Sequence, residues 1–132
     1  SLYIYKMKDK YHLFLSPRND KKLVMLMPSL LHSHHFGSRG YRDYTLMSDK
    51  NSNFYEPKKV KRDQIKASYL KRHSKDNKSR HSPSSMSDVI LWNKDTLLGG
   101  IKAYERKYNV EIVFNNKKLT ENIKNKLFKK NI

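Results

Sequence analysis

Cysteine is absent from this chain of 132 residues, and glycine and proline are scarce, with four residues of each. The absence of cysteine excludes disulfides, thiol catalysis and zinc sites built on cysteine. No apolar run approaches the roughly 18 residues of a membrane span. The first residues have a mixed pattern that is unlike a signal peptide.

Acidic residues are also few, with 12 Asp and Glu in total. Metal-dependent hydrolases need clustered carboxylates, and here the acids are scattered and mostly lie beside lysines. The sequence has no phosphate-binding loop, no glycine-rich dinucleotide fingerprint and no Gly-x-Ser-x-Gly motif. We therefore expect no enzyme, no cofactor and no small-molecule substrate.

Positive charge is what the chain has in abundance. It carries 29 Lys and Arg, which gives a formal net charge of +17. A protein of this charge attracts nucleic acid or acidic protein surfaces in a salt-dependent way. The alternative is that a Lys-, Asn- and Tyr-rich composition reflects codon bias in an AT-rich genome, combined with packing in an assembly.

The first part of the chain, residues 1–47, predicts a β-rich unit. Leu2–Met7 and Tyr11–Leu15 tend to alternate apolar with polar residues, and Lys22–Met27 is a further clear strand. Ser16–Asp20 is a turn cluster between them. These segments predict an antiparallel hairpin or small meander. Two of the four glycines fall in His32–Met47, where backbone freedom is therefore expected.

The second part of the chain predicts helices. Residues 58–81 form a basic unit, in which Lys58–His73 is a helix and the remainder is a polar loop. Residues 82–114 form a helical core with a short strand at Val110–Phe114. Ser82 and Pro83 start one helix, and Asp95 or Thr96 caps a second helix with an apolar stripe along Leu97–Tyr108.

Within that second helix, Gly99 and Gly100 indicate either close approach by another backbone or a helix break. Residues 115–132 predict a Lys-rich C-terminal helix or tail, with Ile123 and Leu127 on one side. The fold class is therefore α+β: an N-terminal antiparallel hairpin or meander packed with three to four short helices, basic extended loops and a C-terminal tail, in one domain over residues 1–132.

Several short motifs occur in a defined order between about residues 12 and 114. They are Ser16-Pro17-Arg18, then Phe36-Gly37-x-x-Gly40-Tyr41-x-Asp43-Tyr44-Thr45, then Tyr69-x-x-Arg72-His73, and finally Ser87-x-x-Ile90-Leu91-Trp92-Asn93-Lys94 with Thr96, Leu97 and Tyr108. This order resembles a family of small, basic, uncharacterised proteins of nucleocytoplasmic large DNA viruses. That family usually carries a Trp and a Gly where this chain has residues 81–85. The resemblance implies a viral setting, and it brings no established activity.

The candidate residues fall into two sets. The predicted structural motif comprises Phe36, Gly37, Gly40, Tyr41, Asp43, Tyr44, Tyr69, His73 and Trp92. The predicted surface for a polyanion or partner comprises Lys58, Lys59, Lys61, Arg62, Lys66, Lys71, Arg72, Lys75, Lys78, Arg80, Lys117 and Lys118.

Three residues have more than one interpretation. Asp43 is expected to pair with Arg42, Arg39 or Arg72, or to accept hydrogen bonds from turn amides. Arg72 either grips a phosphate while Tyr69 anchors the helix, or binds Asp43 and locks the glycine-rich segment onto the helix. Trp92 is expected in the core or at an assembly contact.

Two further groups of residues have both a functional and a structural interpretation. His32, His34 and His35 would need another ligand, such as His73 or His81, to bind zinc, and their spacing matches no zinc pattern, so no metal site is predicted. Tyr3, Tyr5 and Tyr11 would stack on unpaired bases if they were exposed beside basic residues, although core packing is the more common role.

These observations lead to a functional expectation. The leading hypothesis is a minor structural protein, capsid-associated or cementing, of a large double-stranded DNA virus particle, present in the virion and in the host cytoplasm during assembly. Other capsid proteins would be its partners, contacted by Lys58–Arg80 and Lys117–Lys130 as extended basic arms. The alternative is a sequence-independent viral protein that binds and condenses DNA. A third, disfavoured hypothesis is a metal-dependent nuclease.

Overall fold

Four strands form one mixed sheet at the centre of the molecule. The computed structural model describes residues 8–129, with β1 at Lys10–Leu15, β2 at Lys21–Met27, β3 at His32–Ser38 and β4 at Glu111–Lys118. The strand order is β3-β2-β1-β4, in which β1, β2 and β3 are antiparallel neighbours and β4 is parallel to β1. The predicted N-terminal meander is confirmed. The strand expected in residues 2–7 lies outside the described residues.

The second strand is buried on both of its faces. Leu23, Met25 and Met27 contribute to one apolar cluster, whereas Val24 and Leu26 contribute to another on the opposite side of the sheet. A strand that is covered on both sides loses the need for polar residues at alternate positions. This explains the continuous apolar run from Leu23 to Met27, which carries no alternation.

The larger cluster is covered by two consecutive helical segments. Helix α3 at Pro83–Met86 continues into a π-helical segment at Ser87–Leu91, and α4 spans Leu97–Tyr108. The side chain of Ser82 accepts a hydrogen bond from the Ser85 amide, and that of Thr96 accepts one from the Gly99 amide. Both predicted N-caps are therefore confirmed, with Thr96 rather than Asp95 as the cap of α4.

Gly100 lies where α4 crosses the π-helical segment. A methyl group at Gly100 would sit 2.7 Å from the carbonyl carbon of Ile90 and closer still to its oxygen. The contact is with backbone atoms, which cannot move aside by a change of rotamer. Of the two explanations, close approach by another backbone is correct at Gly100, and α4 continues without a break.

The opposite face of the sheet is covered by the C-terminal helix. Helix α5 at Glu121–Lys129 packs Ile123, Leu127 and Phe128 against a smaller buried cluster formed by Phe14, Val24, Leu26 and Leu119. The predicted apolar side of this helix is confirmed. Helices therefore lie on both faces of the sheet, in three layers around the strands.

Two helices lie between the meander and α3. Helix α1 at Tyr44–Ser48 occupies part of the glycine-containing segment, and α2 at Lys59–Arg72 follows the predicted basic helix closely. No residue of α2 is fully buried; Ile65 and Tyr69 pack against the larger cluster. The Tyr44 hydroxyl donates a hydrogen bond to the Asp63 carboxylate over 2.6 Å, which ties α1 to α2.

The basic segment 58–80 lies against the body of the protein, which corrects the expectation of a freely extended arm. The Lys66 ammonium donates to the Asn93 carbonyl over 2.8 Å, Lys78 pairs with Asp88 over 2.7 Å, and the Arg80 guanidinium donates to the Tyr108 carbonyl over 3.1 Å. In the second expected arm, Lys117 and Lys118 end β4 and residues 121–129 form α5. No helix within residues 8–129 is both long and apolar enough to cross a membrane.

Candidate functional site

A groove of about 510 Å³ lies between the end of β3, the end of α2 and the start of α3. We call it the basic groove. Its volume is in the range of protein pockets that hold small molecules or parts of larger ligands. It is lined by Lys21, Lys22, Phe36, Gly37, Ser38, Tyr41, Arg42, Asp43, Tyr69, Arg72, His73, Asp76, Pro83, Ser84, Ser87, Leu91 and Trp92.

Glycines at the end of β3 shape one wall of the basic groove. Gly37 has φ of 77° and Gly40 has φ of 85°, a region that residues with a side chain rarely adopt. A Cβ atom at Gly37 would also lie 2.6 Å from Leu91 Cδ1. The expected need for backbone freedom is confirmed, because the chain must both turn here and pass close to the helical layer.

An ion pair holds the segment that follows these glycines. The Lys22 ammonium contacts the Asp43 carboxylate at 2.7 Å and also donates to the Tyr41 carbonyl at 2.7 Å. The Asp43 side chain is 2% exposed, and it also accepts hydrogen bonds from the Leu46 amide and the Thr45 hydroxyl. The predicted amide bonding of Asp43 is confirmed. Its predicted arginine partners are wrong, because Lys22 is the cation that reaches it.

A hydrogen-bonded pair of side chains lies at the end of α2. The His73 imidazole Nδ1 lies 2.9 Å from the Asp76 carboxylate, and this hydrogen bond holds the pKa of Asp76 below its usual value. Such a pair orients an imidazole as in many catalytic dyads. Among residues 8–129, no hydroxyl forms a hydrogen bond with the other ring nitrogen of His73.

A column of aromatic rings forms the back of the basic groove. The Tyr69 and Trp92 rings stack with centroids 3.9 Å apart and planes 6° apart, and the His73 ring lies 4.4 Å from Tyr69 on a tilt of 35°. Burial raises the pKa of Tyr69 to about 12, so its phenol stays neutral. Trp92 is 6% exposed, which places it in the core. The predicted anchoring role of Tyr69 is confirmed.

Three cations of the basic groove have no partner among the described residues. The side chains of Lys21, Arg42 and Arg72 come from β2, the β3–α1 connection and α2, and none forms a hydrogen bond or ion pair there. The hypothesis that Arg72 locks the glycine-rich segment through Asp43 is therefore wrong. Arg72 lines the groove, and its guanidinium has no partner in the described part of the chain.

The predicted polyanion surface is divided between folding contacts and unpaired charge. Half of its cations contact the protein itself: Lys59, Lys61, Arg62, Lys66, Lys78 and Arg80. The other half are exposed and form no ion pair or side-chain hydrogen bond with the described residues: Lys58, Lys71, Arg72, Lys75, Lys117 and Lys118. The second half keeps its full charge available to a ligand.

The groove brings together motifs that are far apart in the sequence. Phe36, Gly37, Tyr41, Asp43, Tyr69, His73 and Trp92 all line it. Gly40 turns the chain just before Tyr41, and Tyr44 links α1 to α2 instead of facing the groove. Lys21 and Arg42 are not among the residues predicted to contact a polyanion, and Arg42 is predicted only as a possible partner of Asp43. Their proximity to Arg72 depends on strand register and helix docking, which no local pattern reveals.

The histidines separate onto two faces of the sheet. His32 and His34 share a face, with ring centroids 6.3 Å apart, whereas the ring of His35 lies 2.7 Å from the Ser16 hydroxyl on the other face. No group of three or more metal-ligating side chains within residues 8–129 is arranged to hold a metal ion. Tyr11 is fully buried, so it does not stack on bases, and Tyr3 and Tyr5 lie outside the described residues.

No protein-family model, no curated protein and no solved structure matches this chain. The geometry and charge of the groove and its surroundings are therefore the observations that bear on function.

Proposed function

We propose that this protein binds nucleic acid without sequence preference, through the basic groove and the exposed end of α2. The observation that carries the proposal is that one groove is lined by three cations without a partner among residues 8–129: Lys21, Arg42 and Arg72. Bringing like charges together in a protein of net charge +17 costs free energy unless an anion compensates them. A chain of phosphates is an anion that would contact several such cations at once.

The cations beyond the groove extend the same surface. Lys71 precedes Arg72 in α2 and Lys75 follows it in the next turn, and both are exposed without an ionic partner in the described residues. Lysine and arginine contacts to phosphate position a protein on nucleic acid but read no sequence. The resemblance to proteins of large DNA viruses gives this proposal its setting, in which the ligand is the viral genome in the virion or in the infected cytoplasm.

A second candidate function is the capsid-associated structural role. The observation that favours it is the exposed pair Leu30 and Leu31, 40% and 54% exposed, at the turn between β2 and β3. Leu31 has φ of 52°, so an apolar side chain is displayed in solvent from a backbone conformation that leucine rarely adopts. A neighbouring protein subunit would cover this turn, and the basic surface would then meet an acidic protein.

A salt titration tests the proposal. Binding of the purified protein to duplex DNA is measured by fluorescence anisotropy between about 50 and 300 mM salt. We expect micromolar or tighter affinity that falls steeply with salt, since each phosphate contact contributes about 0.9 to the slope of log affinity against log salt. Negligible binding at physiological salt, both to duplex DNA and to a single strand of the same length, contradicts the proposal and favours the capsid-associated role.

A pair of charge-matched variants locates the surface. The triple variant Lys21→Gln, Lys71→Gln, Lys75→Gln removes cations from the proposed surface, and we expect its salt slope to fall by about 2 to 3. The control triple variant Lys50→Gln, Lys102→Gln, Lys126→Gln removes the same charge at exposed positions elsewhere. Equal losses in both variants would contradict the proposed location, because they would show that net charge alone drives binding.

A further inference from the structure

Tyr41 is an exposed aromatic residue whose backbone is held in place. Its side chain is 70% exposed, whereas its carbonyl accepts a hydrogen bond from the Lys22 ammonium, which is itself paired with the buried Asp43. Nothing in the packing of the described residues uses this ring. An aromatic ring that is displayed in solvent from an anchored backbone is well suited to contact another flat group.

The surroundings of this ring are positively charged. Arg42 follows Tyr41 directly, and Arg72 and Lys21 face the same groove from α2 and β2. Arginine binds phosphate through two parallel hydrogen bonds from its planar guanidinium. The groove therefore combines one free aromatic face with several unpaired phosphate-binding groups, which is the combination found in proteins that bind single-stranded nucleic acid.

We infer that the basic groove binds one unpaired nucleotide of a single strand, with its base stacked on Tyr41 and its phosphates on Arg42 and Arg72. This inference rests on the proposed function and adds the class of nucleic acid. A base in a duplex is stacked between its neighbours and offers no free face to a side chain, whereas a base in a single strand does. The groove, at about 510 Å³, has room for a nucleotide.

Three serine side chains add polar groups to the basic groove. Ser38, Ser84 and Ser87 line the groove, and the Ser84 hydroxyl is held by the Lys78 ammonium at 2.7 Å. Hydroxyl groups both donate and accept hydrogen bonds, so they serve the polar edges of any base. This predicts stacking with little discrimination among the four bases.

The experiment compares three probes at about 150 mM salt: a short oligothymidylate, an abasic strand of the same length and a duplex. We expect the oligothymidylate to bind about tenfold more tightly than the abasic strand, the difference being the stacked base. Trp92 is the chain's one tryptophan and lines the groove, so its fluorescence should change with the oligothymidylate. Equal affinity for the strands with and without bases would overturn the inference.

Variants separate stacking from charge. Tyr41→Ala should weaken oligothymidylate binding about tenfold and leave abasic and duplex binding unchanged, while Tyr41→Phe should retain wild-type affinity because the ring is kept. Phe54→Ala, which removes an exposed aromatic ring away from the groove, is the control and should have no effect. Arg72→Gln should weaken binding of all three probes.

The outcomes for this inference and for the proposed function are distinguishable. Salt-dependent duplex binding with no preference for the strand that carries bases, and no effect of Tyr41→Ala, overturns the single-strand inference and leaves the proposed function intact. Absence of binding to every probe overturns both.

Discussion

Gly100 is the residue at which the two helical segments of the core come closest. A side chain there would meet the Ile90 backbone, with the Ile90 Cα only 2.9 Å from an added Cβ. The helix-forming advantage of alanine over glycine is about 1 kcal/mol, and overpacking of a core costs about 1–3 kcal/mol or more. Because backbone is the obstacle, we expect the steric cost to exceed the gain in helix propensity.

We therefore predict that Gly100→Ala lowers the free energy of unfolding by about 2 kcal/mol in urea denaturation. Lys102→Ala, at an exposed position in the same helix, serves as the control and should change stability by less than about 0.5 kcal/mol. A Gly100→Ala protein as stable as the wild type would contradict the close packing of α4 on the π-helical segment.

The Lys22–Asp43 ion pair is the most buried ion pair among the described residues, with side-chain exposures of 18% and 2%. Removing one member of a buried pair leaves the other as an uncompensated charge, at a cost of about 3–5 kcal/mol. We predict that Lys22→Met lowers the free energy of unfolding by about 3 kcal/mol. The double variant Lys22→Met, Asp43→Asn should recover part of that loss, because an amide still caps α1 without a buried charge.

The control for this pair is an exposed one. Lys59 and Asp63 are separated by 2.7 Å, but their side chains are 72% and 45% exposed. Water screens such a pair, so Lys59→Met should cost less than about 1 kcal/mol. If Lys22→Met proved equally mild in urea denaturation, the ion pair would not be what holds the segment around Tyr41.

Strand β3 and the loop before α3 carry histidines whose charged forms the fold disfavours. Burial is the main cause that lowers the pKa of His34, His35 and His81 below 6.5. Nearby basic groups lower these pKa values further: His32 beside His34, Arg18 and Lys124 beside His35, and Arg80 beside His81. Asp20 and Asp9 act in the opposite direction on His35 and His81.

Stability should therefore fall as the pH falls below the unfolded-state pKa of these histidines. Above about pH 6.5 they are neutral in both states, whereas below it the unfolded chain binds protons that the folded chain resists. We predict that the free energy of unfolding, measured in urea from about pH 8 to pH 5, is constant at first and then declines. The double variant His34→Gln, His81→Gln should show a shallower decline, and a flat wild-type profile would contradict the prediction.

Helix α2 illustrates how an element can be placed for contact with a ligand. It has no fully buried residue, yet Tyr69 inserts into the aromatic column and Lys66 reaches the Asn93 carbonyl. These attachments fix the direction of the helix while Lys71 and Arg72 stay exposed at its end. The last turn of a helix repels a negative ligand, because its free carbonyl groups carry partial negative charge. The basic side chains at that end must therefore attract the ligand more strongly than these carbonyls repel it.

At the scale of the whole molecule, positive charge is largely uncompensated. The chain has 29 Lys and Arg against 12 Asp and Glu, and most ion pairs in residues 8–129 are partly or largely exposed. Self-repulsion in a protein of high net charge destabilises its compact state. The fold therefore exists in spite of its charge, which is consistent with a surface that an anionic ligand neutralises.

We predict that added salt stabilises the free protein. Screening of the net repulsion should outweigh the weakening of exposed ion pairs, which contribute at most about 1 kcal/mol each. The melting temperature should rise as potassium chloride is increased from about 50 to 300 mM, a range in which the Debye length shortens below 10 Å. A melting temperature that falls over this range would show that attractive charge pairs dominate, contrary to the prediction.

Local patterns in the sequence were sufficient to predict the main elements. The apolar run of β2, the Ser82 and Thr96 caps and the stripe of α4 each depend on neighbours within a few residues, and each prediction is confirmed. Helix α1 was not predicted, because it is only five residues long and Asp43 caps it from within a glycine-containing segment. The two-sided cover of the sheet was also missed, since α5 had been interpreted as a basic arm.

The sequence by itself determined the α+β class, the order of most elements and the excess of positive charge, since these follow from composition and from interactions between near neighbours. Only the tertiary structure decided that β4 pairs in parallel with β1, that Lys22 is the partner of Asp43, and that Lys21, Arg42 and Arg72 meet in one groove. The physical reason is that these contacts join residues about 20 to 100 positions apart, where strand register and helix docking, and not local preference, set which side chains meet.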